Sequence, residues 1–550
     1  MKTLNIKLPD GKVITHAFEG QVCLENLMPE TEYPILSALC QNENIRLNSV
    51  FDESAEIEFL DLRNNYANMS YQASLTLLYL KAVEDILGKH VQVTIANSLS
   101  KGVYTRIHLD GINEETIRKL EDYMHEIAEK NLPIEEEVMN RDELLKYVNA
   151  DGDKDEKKLL ESAEDLKKAM VCRIGETHNL FYLHTLPSTG YLKQFELKKY
   201  RNGVLLRFPH PRDPLHVAPF EEQKLLYNAF SEENHWQKLI GVKDASQLNE
   251  KIVTKECLDL VMLTEALHEK KIADIAAAIS ESKKRIILIA GPSSSGKTTF
   301  AKRLCIQLRV IGLKPLYLGT DDYFVNREDM VPDEKGELDF EALSAVDVGL
   351  FDQQMNDLLA GRKVDIPEFD FIEGKKVFGK RITSIQPNQP IVIEGIHGLN
   401  PQLTKDIPDE EKIRIYISPL TQLNIDTHNR VPTTDARMLR RLVRDYRTRG
   451  RDAATTIRDW PSVRKGEDVN IFPFCYQADL FFNSQCIYEL AALKKYAKPL
   501  LEGIGKDEKE YPEAQRMLRF LDFFAEMKDD ACIPLNSIIR EFIGGSVIMN

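Results

Sequence analysis

The sequence predicts an α/β protein whose main domain is a doubly wound parallel sheet, preceded by a small β-rich module and an α+β domain. From about residue 284 to residue 500, apolar strand-like runs alternate with helix-compatible stretches, as in βαβ units. Residues 4–8 alternate apolar and polar side chains with a period of two, which is typical of a half-buried strand. Residues 75–87 instead place apolar side chains at helical spacing.

Composition narrows the class of protein. The 550 residues are too many for one core, and about three or four domains are expected. With 43% hydrophobic and 29% charged residues the chain reads as globular and soluble, and its net charge of −15 disfavours nucleic-acid binding driven by bulk charge. Eight cysteines without a C-x-x-C pair predict neither a zinc site nor disulfides. We expect a cytoplasmic protein without a membrane partner, since no signal core or spanning apolar run is present; the oligomeric state stays open.

The first module covers residues 1–62. Residues 9–12, Pro-Asp-Gly-Lys, predict a hairpin turn after the first strand, and residues 55–60 predict a closing strand. This stretch resembles the ubiquitin-like TGS module at the start of threonyl-tRNA synthetases, which implies a β-grasp fold.

Residues 65–249 form the predicted α+β domain, and the Pro187-Ser188-Thr189-Gly190 segment carries its resemblance to the second domain of threonyl-tRNA synthetases. In that family the domain hydrolyses mischarged tRNA with an H-x-x-x-H pair and a later Cys and His. Here no histidine lies between His16 and His90, and Phe181 and Thr185 hold the later two positions. The resemblance therefore implies a retained scaffold.

Two histidines remain near this segment, His178 and His184. A displaced metal or acid-base role is conceivable for them, but histidines without partners are more often structural or surface residues. Residues 250–283 predict a helical connector. Residues 501–550 predict a helical C-terminal tail, with a helix-like run at 514–527 and a final segment at 538–545.

A phosphate-binding loop follows the apolar run at 286–290 and precedes a helix-compatible stretch at 299–310. Its glycines allow a tight turn, so that successive backbone N–H groups and the helix N-terminus point at one anion. Lys297 is expected to reach the β- and γ-phosphates, and the Thr298 hydroxyl to bind Mg²⁺. The predicted nucleotide-binding residues are Gly291, Pro292, Ser293, Ser294, Ser295, Gly296, Lys297, Thr298 and Thr299. The expected cofactors are ATP and Mg²⁺.

Carboxylates end two later strand-like runs. Asp321 and Asp322 follow residues 314–320, and Glu394 ends the run at 391–394. In parallel sheets, ligands collect at the carboxyl ends of the strands. One of the two aspartates could accept a hydroxyl proton as the oxygen attacks the γ-phosphate, and Glu394 is placed like a Walker B residue that holds Mg²⁺.

Arginines are concentrated between residues 435 and 452. At helical spacing Arg437, Arg441 and Arg444 share one side of a helix. In an acidic protein such a concentration of guanidinium groups favours contact with phosphoryl oxygens. A salt-bridged surface helix and an RNA-binding helix are the alternatives.

Together these motifs resemble the uridine kinase and phosphoribulokinase family over about 200 residues. The family's D-x-F-Y reads Asp321-Asp322-Tyr323-Phe324, which implies Asp321 as general base, with Asp322 as the fallback. Its arginine helix and lid read from Arg440 to Asp452. The match implies that Arg444 and Arg449 clamp the transferring phosphoryl group. The resemblance places Phe324, Glu341, Phe369, Arg441 and Arg451 near the acceptor.

The sequence departs from the family at the acceptor. The segment that begins at Phe340 carries Glu341 where uridine kinases have Asp, and its proline is missing. Gly374 replaces a histidine that reads the base, so base selectivity is expected to be weaker. Residues 424–434 have no counterpart that can be placed in a uridine kinase.

The sequence thus favours an ATP-dependent kinase of a small-molecule alcohol, with a nucleoside 5′-hydroxyl as the leading acceptor. A sugar phosphate or a pantothenate-like alcohol would use the same catalytic residues. An RNA- or tRNA-linked regulator with an ATP switch is the alternative from another class; the N-terminal resemblance favours it, and the acidic charge and the lost editing residues disfavour it.

Overall fold

The first part of the chain is a small β-sheet module. The computed structural model describes residues 2–151, 154–330, 339, 341–421 and 423–549. The strands of the module are β1 Lys2–Lys7, β2 Val13–Phe18, β3 Val22–Cys23, β4 Ile35–Cys40, β5 Glu43–Ile45, β6 Val50–Phe51 and β7 Ala55–Asp61. Five of them form a mixed sheet in the order β2-β1-β7-β4-β5, with β1 parallel to β7. The predicted hairpin is confirmed, since β1 and β2 are antiparallel and Leu8 N donates to Lys12 O at 2.7 Å.

The next part combines helices with two antiparallel sheets. Its elements are α1 Asn65–Leu87, β8 Val93–Leu99, β9 Gly102–Ile107, α2 Glu114–Lys130, β10 Glu135–Asn140, α3 Arg141–Asp151, α4 Lys154–Ser162, β11 Lys168–Ile174, β12 Thr177–Phe181, β13 Glu196–Tyr200 and β14 Gly203–Arg207. The sheets have the orders β13-β14-β9-β8 and β10-β11-β12. The helix predicted at 75–87 is the second half of α1, which begins earlier because the Asn64 side chain caps it by accepting from Tyr66 N at 2.9 Å.

A five-stranded parallel sheet forms the centre of the remaining chain. The elements are α5 Lys224–Ile240, α6 Ala245–Ile252, α7 Glu256–Ser282, β15 Ile286–Ala290, α8 Lys297–Val310, β16 Leu316–Gly319, α9 Val348–Leu359, β17 Val364–Asp370, β18 Lys375–Thr383, β19 Ile391–Glu394, β20 Lys412–Ser418, α10 Thr433–Arg449, α11 Ala453–Asn470, β21 Leu480–Asn483, α12 Glu489–Glu502, α13 Tyr511–Leu521 and α14 Arg540–Ile543. The sheet order is β16-β19-β15-β20-β21, and every pairing in it is parallel.

The strand order positions the site. The chain moves from β15 to one side of the sheet and then crosses to the other side at β20, so the loop after β15 lies at the point where the winding direction reverses. Ligands bind at such switch points, outside the carboxyl ends of the strands. The predicted α/β fold with a parallel sheet is confirmed. Strands β17 and β18 form a separate antiparallel hairpin beside it.

The segment without a counterpart in uridine kinases, residues 424–434, docks the N-terminal half onto the parallel-sheet domain. Asn424 Nδ2 donates to Ile95 O at 2.7 Å, and Ile95 N donates to Thr427 O at 2.9 Å. Asn429 Nδ2 donates to Leu180 O at 2.7 Å, and this contact is buried. The segment then leads directly into α10, so the elements that carry the arginines are held by the N-terminal half.

The C-terminal residues pack into the same core as the parallel-sheet domain. Phe520, Phe524, Ile538 and Phe542 are buried in one cluster with Phe300 of α8. The helix predicted at 514–527 ends at Leu521, because the chain turns there to bury Phe523 and Phe524. Among the described residues, no helix has both the length and the apolar character needed to cross a membrane.

Candidate active site

The loop after β15 has the geometry of a phosphate cradle. Ser294 and Gly296 adopt positive φ angles of 60° and 81°, which wrap the backbone around the start of α8. A Cβ atom at Gly291 would lie 2.0 Å from the Ile417 carbonyl oxygen, so only glycine fits there. Lys297 Nζ donates to Gly291 O at 2.9 Å and to Pro292 O at 3.2 Å. The Lys297 ammonium group therefore lies against the backbone carbonyl groups at the start of the loop.

Two buried arginines of α10 donate hydrogen bonds to the backbone of this loop. Arg437 Nε donates to Ser293 O at 2.9 Å, and Arg440 NH1 donates to Ser294 O at 3.3 Å. Glu467 accepts from Ser293 N at 2.9 Å and pairs with Arg437. The expectation that Arg437 joins Arg441 and Arg444 at the phosphoryl group is therefore wrong: burial against Glu467 makes Arg437 a support of the loop backbone.

Three other arginines of the same helix converge on one buried carboxylate. Asp445 Oδ1 accepts from Arg444 NH2 at 2.8 Å and lies 3.5 Å from Arg449 NH1, while Asp445 Oδ2 lies 3.3 Å from Arg441 Nε. Arg441 also donates to the Ser293 hydroxyl at 2.8 Å, so this group faces the loop. Arg451 instead forms an ion pair with Asp459 on the surface.

The two aspartates after β16 have different surroundings. Asp322 Oδ2 accepts from Arg381 NH1 at 2.6 Å. The Asp321 carboxylate makes no hydrogen bond or ion pair within the part of the chain that the structure describes. Solvent reaches its side chain, yet the surrounding protein desolvates the carboxylate and raises its pKa, against the opposing charges of Lys297 and Arg449. The contrast favours Asp321 as the group that is free to accept a proton.

Glu394 lies at the end of β19, beside the loop. Its Oε1 accepts from the Thr298 hydroxyl at 3.0 Å, so two hard oxygen donors converge there. Burial raises the pKa of Glu394 to about 7, and the charges of Asp321 and Glu541 add to the rise, while Lys297 opposes it. A bound cation would stabilise the charged form of this buried carboxylate. The Glu394 carboxylate and the Thr298 hydroxyl therefore fit Mg²⁺.

Without ligands, the wild-type protein is expected to become less stable relative to Glu394→Gln as the pH rises from about 5 to about 8. The measured quantity is the difference between the unfolding temperatures of the two proteins. The folded state holds a proton on Glu394 that the unfolded state releases at its ordinary pKa of 4.5, so this stabilisation is lost as the pH rises through about 7. The loss amounts to at most about 3 kcal/mol. Thermal unfolding against pH measures it, with the exposed Glu410→Gln as control; parallel curves for wild type and Glu394→Gln would contradict it.

Aromatic side chains form a wall near the expected acceptor position. Phe324 and Phe369 meet edge-on at 5.6 Å between ring centroids, and Phe371 contacts both. Glu341 packs against Gly466 of α11, and burial raises its pKa while Lys297 and Arg441 oppose the rise. The preceding residue, Phe340, lies outside the described residues.

Gly374 lies in the turn between β17 and β18, where the family has a histidine. Its φ is 69°, and a Cβ atom there would lie 2.9 Å from Arg327 Cβ. Arg327 also donates from NH2 to Phe371 O at 2.9 Å. The backbone and Arg327 together therefore exclude a larger residue at this position.

We expect Gly374→His to lower the free energy of unfolding by about 1–3 kcal/mol without creating a preference for pyrimidine nucleosides, since the side chain must displace Arg327 and adopt a strained φ. Urea unfolding and an acceptor assay measure the two effects. Gly361→His is the matched control, because Gly361 has a φ of 76° and no atom within 4 Å of its added Cβ. Equal stability of the two variants would contradict the crowding at Gly374.

Besides Glu467, a second carboxylate at the loop was not predicted from the sequence. Glu541, in α14, accepts from the Thr299 hydroxyl at 2.6 Å. The segment 538–545 stands out in the sequence, but nothing in its pattern relates it to residues 240 positions earlier. Only the packing of Ile538 against Gly296 brings it there: a Cβ atom at Gly296 would lie 2.5 Å from Ile538 Cγ2.

The histidines of the N-terminal half do not meet at one site. His184 Nδ1 lies 2.6 Å from Glu136 Oε1, and the Thr185 backbone N and hydroxyl also donate to Glu136. His178 instead contacts the edge of the Tyr147 ring at 5.4 Å. Within the described residues, these histidines belong to no cluster of three possible metal ligands.

The parallel sheet and the loop at its switch point define the class of P-loop kinases. Residues 286–490 match the model of the Phosphoribulokinase / Uridine kinase family. A uridine kinase of Ligilactobacillus salivarius (strain UCC118) is 30% identical over 185 residues, which are 34% of this chain and 78% of that protein. A uridine kinase of Staphylococcus aureus (strain JH9) is 32% identical over 197 residues, which are 36% of this chain and 85% of that protein.

The chain belongs to the phosphoribulokinase and uridine kinase family. It is a phosphotransferase that uses ATP and acts on an alcohol group of a small molecule. The matched region ends at residue 490, so Glu541 lies outside it.

Proposed function

We propose that the protein transfers the γ-phosphoryl group of ATP to the 5′-hydroxyl of a nucleoside, with Mg²⁺. The observation that carries this proposal is the set of carboxylates around Lys297. Burial lowers the pKa of Lys297, and the carboxylates of Glu394, Asp321 and Glu341 oppose that effect, so all three lie within electrostatic reach of the ammonium group. They supply three separate functions: a cation ligand, a proton acceptor and an acceptor-binding group.

Asp321 takes the proton of the attacking hydroxyl. Its carboxylate has no partner among the described residues to compete for that proton, and it faces Lys297, which reaches the β- and γ-phosphates. The loop from Gly291 to Thr298 holds the phosphates through its backbone N–H groups other than that of Ser293, which donates to Glu467; Pro292 has none. Thr299 extends this surface along α8.

Thr298 and Glu394 hold Mg²⁺, which when bound neutralises charge on the phosphate oxygens. Arg444 and Arg449 offset negative charge on the equatorial oxygens of the transferring group. Their shared contact with Asp445, which holds the two guanidinium groups together, supports this role. Arg441 and Arg451 lie nearer the acceptor in this proposal, Arg451 after leaving Asp459.

The acceptor side favours a molecule with a flat ring and neighbouring hydroxyl groups. Glu341 can accept two hydroxyl protons from a ribose, and the exposed ring of Phe371, backed by the buried Phe324 and Phe369, offers an apolar surface to a base. A sugar phosphate or a pantothenate-like alcohol remains the alternative acceptor, since it would use the same loop and the same base. Uridine is the acceptor that the names of the two relatives suggest.

For the domains, we propose a TGS-like β-grasp module at 1–62, a threonyl-tRNA synthetase-like scaffold at 65–249 and a helical connector at 250–283. A nucleoside kinase domain at 284–500 and a C-terminal segment at 501–550 follow. The mixed sheet with β1 parallel to β7 supports the first assignment. The docking of 424–434 on Ile95 and Leu180 favours a scaffold, rather than an RNA-linked regulator.

An acceptor screen tests the proposal. Purified protein is incubated with ATP and Mg²⁺ and with each ribo- and deoxyribonucleoside, ribulose 5-phosphate and pantothenate, and acceptor-dependent ADP formation is measured. We expect turnover with at least one nucleoside, and turnover lower by about 10²-fold or more in Asp321→Asn. Turnover with only ribulose 5-phosphate or pantothenate would overturn the nucleoside assignment. Bound ATP without turnover on any acceptor would favour the regulator, with tRNA as the next ligand.

A further inference from the structure

We propose that Glu541 recognises a ribose hydroxyl of the ATP donor, so that the site selects a ribonucleoside triphosphate over its deoxy analogues. Glu541 Oε2 accepts from the Thr299 hydroxyl at 2.6 Å. The inference rests on the loop as the ATP site and not on the identity of the acceptor.

Glu541 contacts the residue of α8 that directly follows the expected phosphate and cation ligands. Lys297 is expected to bind the β- and γ-phosphates, and the Thr298 hydroxyl the cation. In this proposal Thr299, the next residue, lies on the side of the α-phosphate and the ribose. The charge of Glu541 opposes the fall in the pKa of Lys297 and adds to the rise in the pKa of Glu394, so its carboxylate lies within electrostatic reach of the residues proposed to bind phosphate and cation.

The chemistry of a carboxylate at this position points to a hydroxyl donor. Phosphate oxygens carry no protons at neutral pH and repel Glu541. The donors on the nucleotide that lie nearest to its α-phosphate are the ribose hydroxyls. The Thr299 hydroxyl donates to Oε2 of Glu541, whereas Oε1 of Glu541 makes no hydrogen bond within the described part of the chain. The Glu541 side chain is half-buried. Oε1 is therefore free to accept a ribose proton.

The C-terminal segment holds Glu541 rigidly enough for recognition. Ile538 packs against Gly296, and Arg447 NH1 donates to Phe542 O at 3.0 Å. Arg540 NH2 donates to Asp530 O at 2.7 Å and to Ile533 O at 2.9 Å. These contacts on both sides of Glu541 fix the backbone that carries it.

Equilibrium binding tests the proposal without any acceptor. The affinities of ATP, 2′-deoxy-ATP and 3′-deoxy-ATP, each with Mg²⁺, are measured by calorimetry for the full chain, for Glu541→Ala and for Glu526→Ala, a control from the same segment. We expect Glu541→Ala to weaken ATP about tenfold, and to change the affinity of the analogue that lacks the contacted hydroxyl by less than about twofold. Glu526→Ala should match the wild type.

Equal weakening of all three nucleotides in Glu541→Ala would overturn the proposal, because it would indicate a general electrostatic or cation-binding role. Unchanged affinity for all three would overturn it as well. If Glu541→Ala does not fold, Glu541→Gln keeps a neutral acceptor for Thr299, and discrimination between ATP and the deoxy analogue should fall about threefold. Undiminished discrimination in that variant would overturn the proposal. Loss of nucleoside turnover alone bears on the proposed function and leaves these affinities unaffected.

Discussion

Asp321→Asn is expected to lower kcat by about 10²-fold or more, while the ATP dissociation constant stays within about threefold of the wild-type value. The amide cannot take the proton of the attacking hydroxyl. It leaves the loop unchanged, because Asp321 bonds to none of the loop residues in the described structure. Steady-state kinetics with a saturating acceptor, together with calorimetry of ATP binding, measures the two quantities separately.

Asp322→Asn is the matched control for this change, since it makes the same substitution one residue away. Asp322 already pairs with Arg381, so its loss should weaken that contact and reduce kcat by less than about tenfold. A larger fall in kcat for Asp322→Asn than for Asp321→Asn would exchange the two roles. Near-normal turnover in both variants would exclude either residue as the base.

Arg444→Ala and Arg449→Ala are each expected to lower kcat by about 10³-fold, the scale observed when an arginine that stabilises the transferring phosphoryl group is removed. Both guanidinium groups contact Asp445, which also lies 3.3 Å from Arg441, and Arg441 donates to the Ser293 hydroxyl of the loop. Their contribution is greatest in the transition state, so KM for the acceptor should change far less than kcat.

Arg458→Ala is the control for these two variants, because Arg458 is exposed and pairs with Glu510 away from the loop. It should leave kcat within about twofold. If Arg444→Ala and Arg449→Ala raised KM alone, the two arginines would bind the ground state and would have no special role in the transfer step.

Local pattern was sufficient to predict the phosphate loop and the parallel sheet. The run from Ile286 to Ala290, the glycines at 291 and 296 and the helix from Lys297 are neighbours in the chain, so spacing alone places them together. The strand-end carboxylates Asp321 and Glu394 were also predictable, because parallel strands bring their carboxyl ends to one edge of a sheet.

The arginine helix shows where pattern alone is insufficient. Helical spacing places Arg437, Arg441 and Arg444 on one side of α10, but spacing does not reveal which of them faces a buried acid. Glu467 of the next helix pairs with Arg437 in the interior, whereas Asp445, on α10 itself, pairs with Arg444 and Arg449. The burial of Arg437 therefore depends on a partner that only the packing of α10 on α11 provides.

The sequence by itself determined the family of the C-terminal half, the phosphate-binding loop and the strand-end carboxylates near it, since these features depend on residue type and short-range spacing. The tertiary structure alone decided that Asp322 pairs with Arg381 while the Asp321 carboxylate has no partner among the described residues, that residues 424–434 connect the two halves, and that Glu541 reaches Thr299. Such contacts join residues far apart in the chain. The contact of Glu541 depends on the free energy of burying Ile538, Phe542 and their neighbours, which no local pattern records.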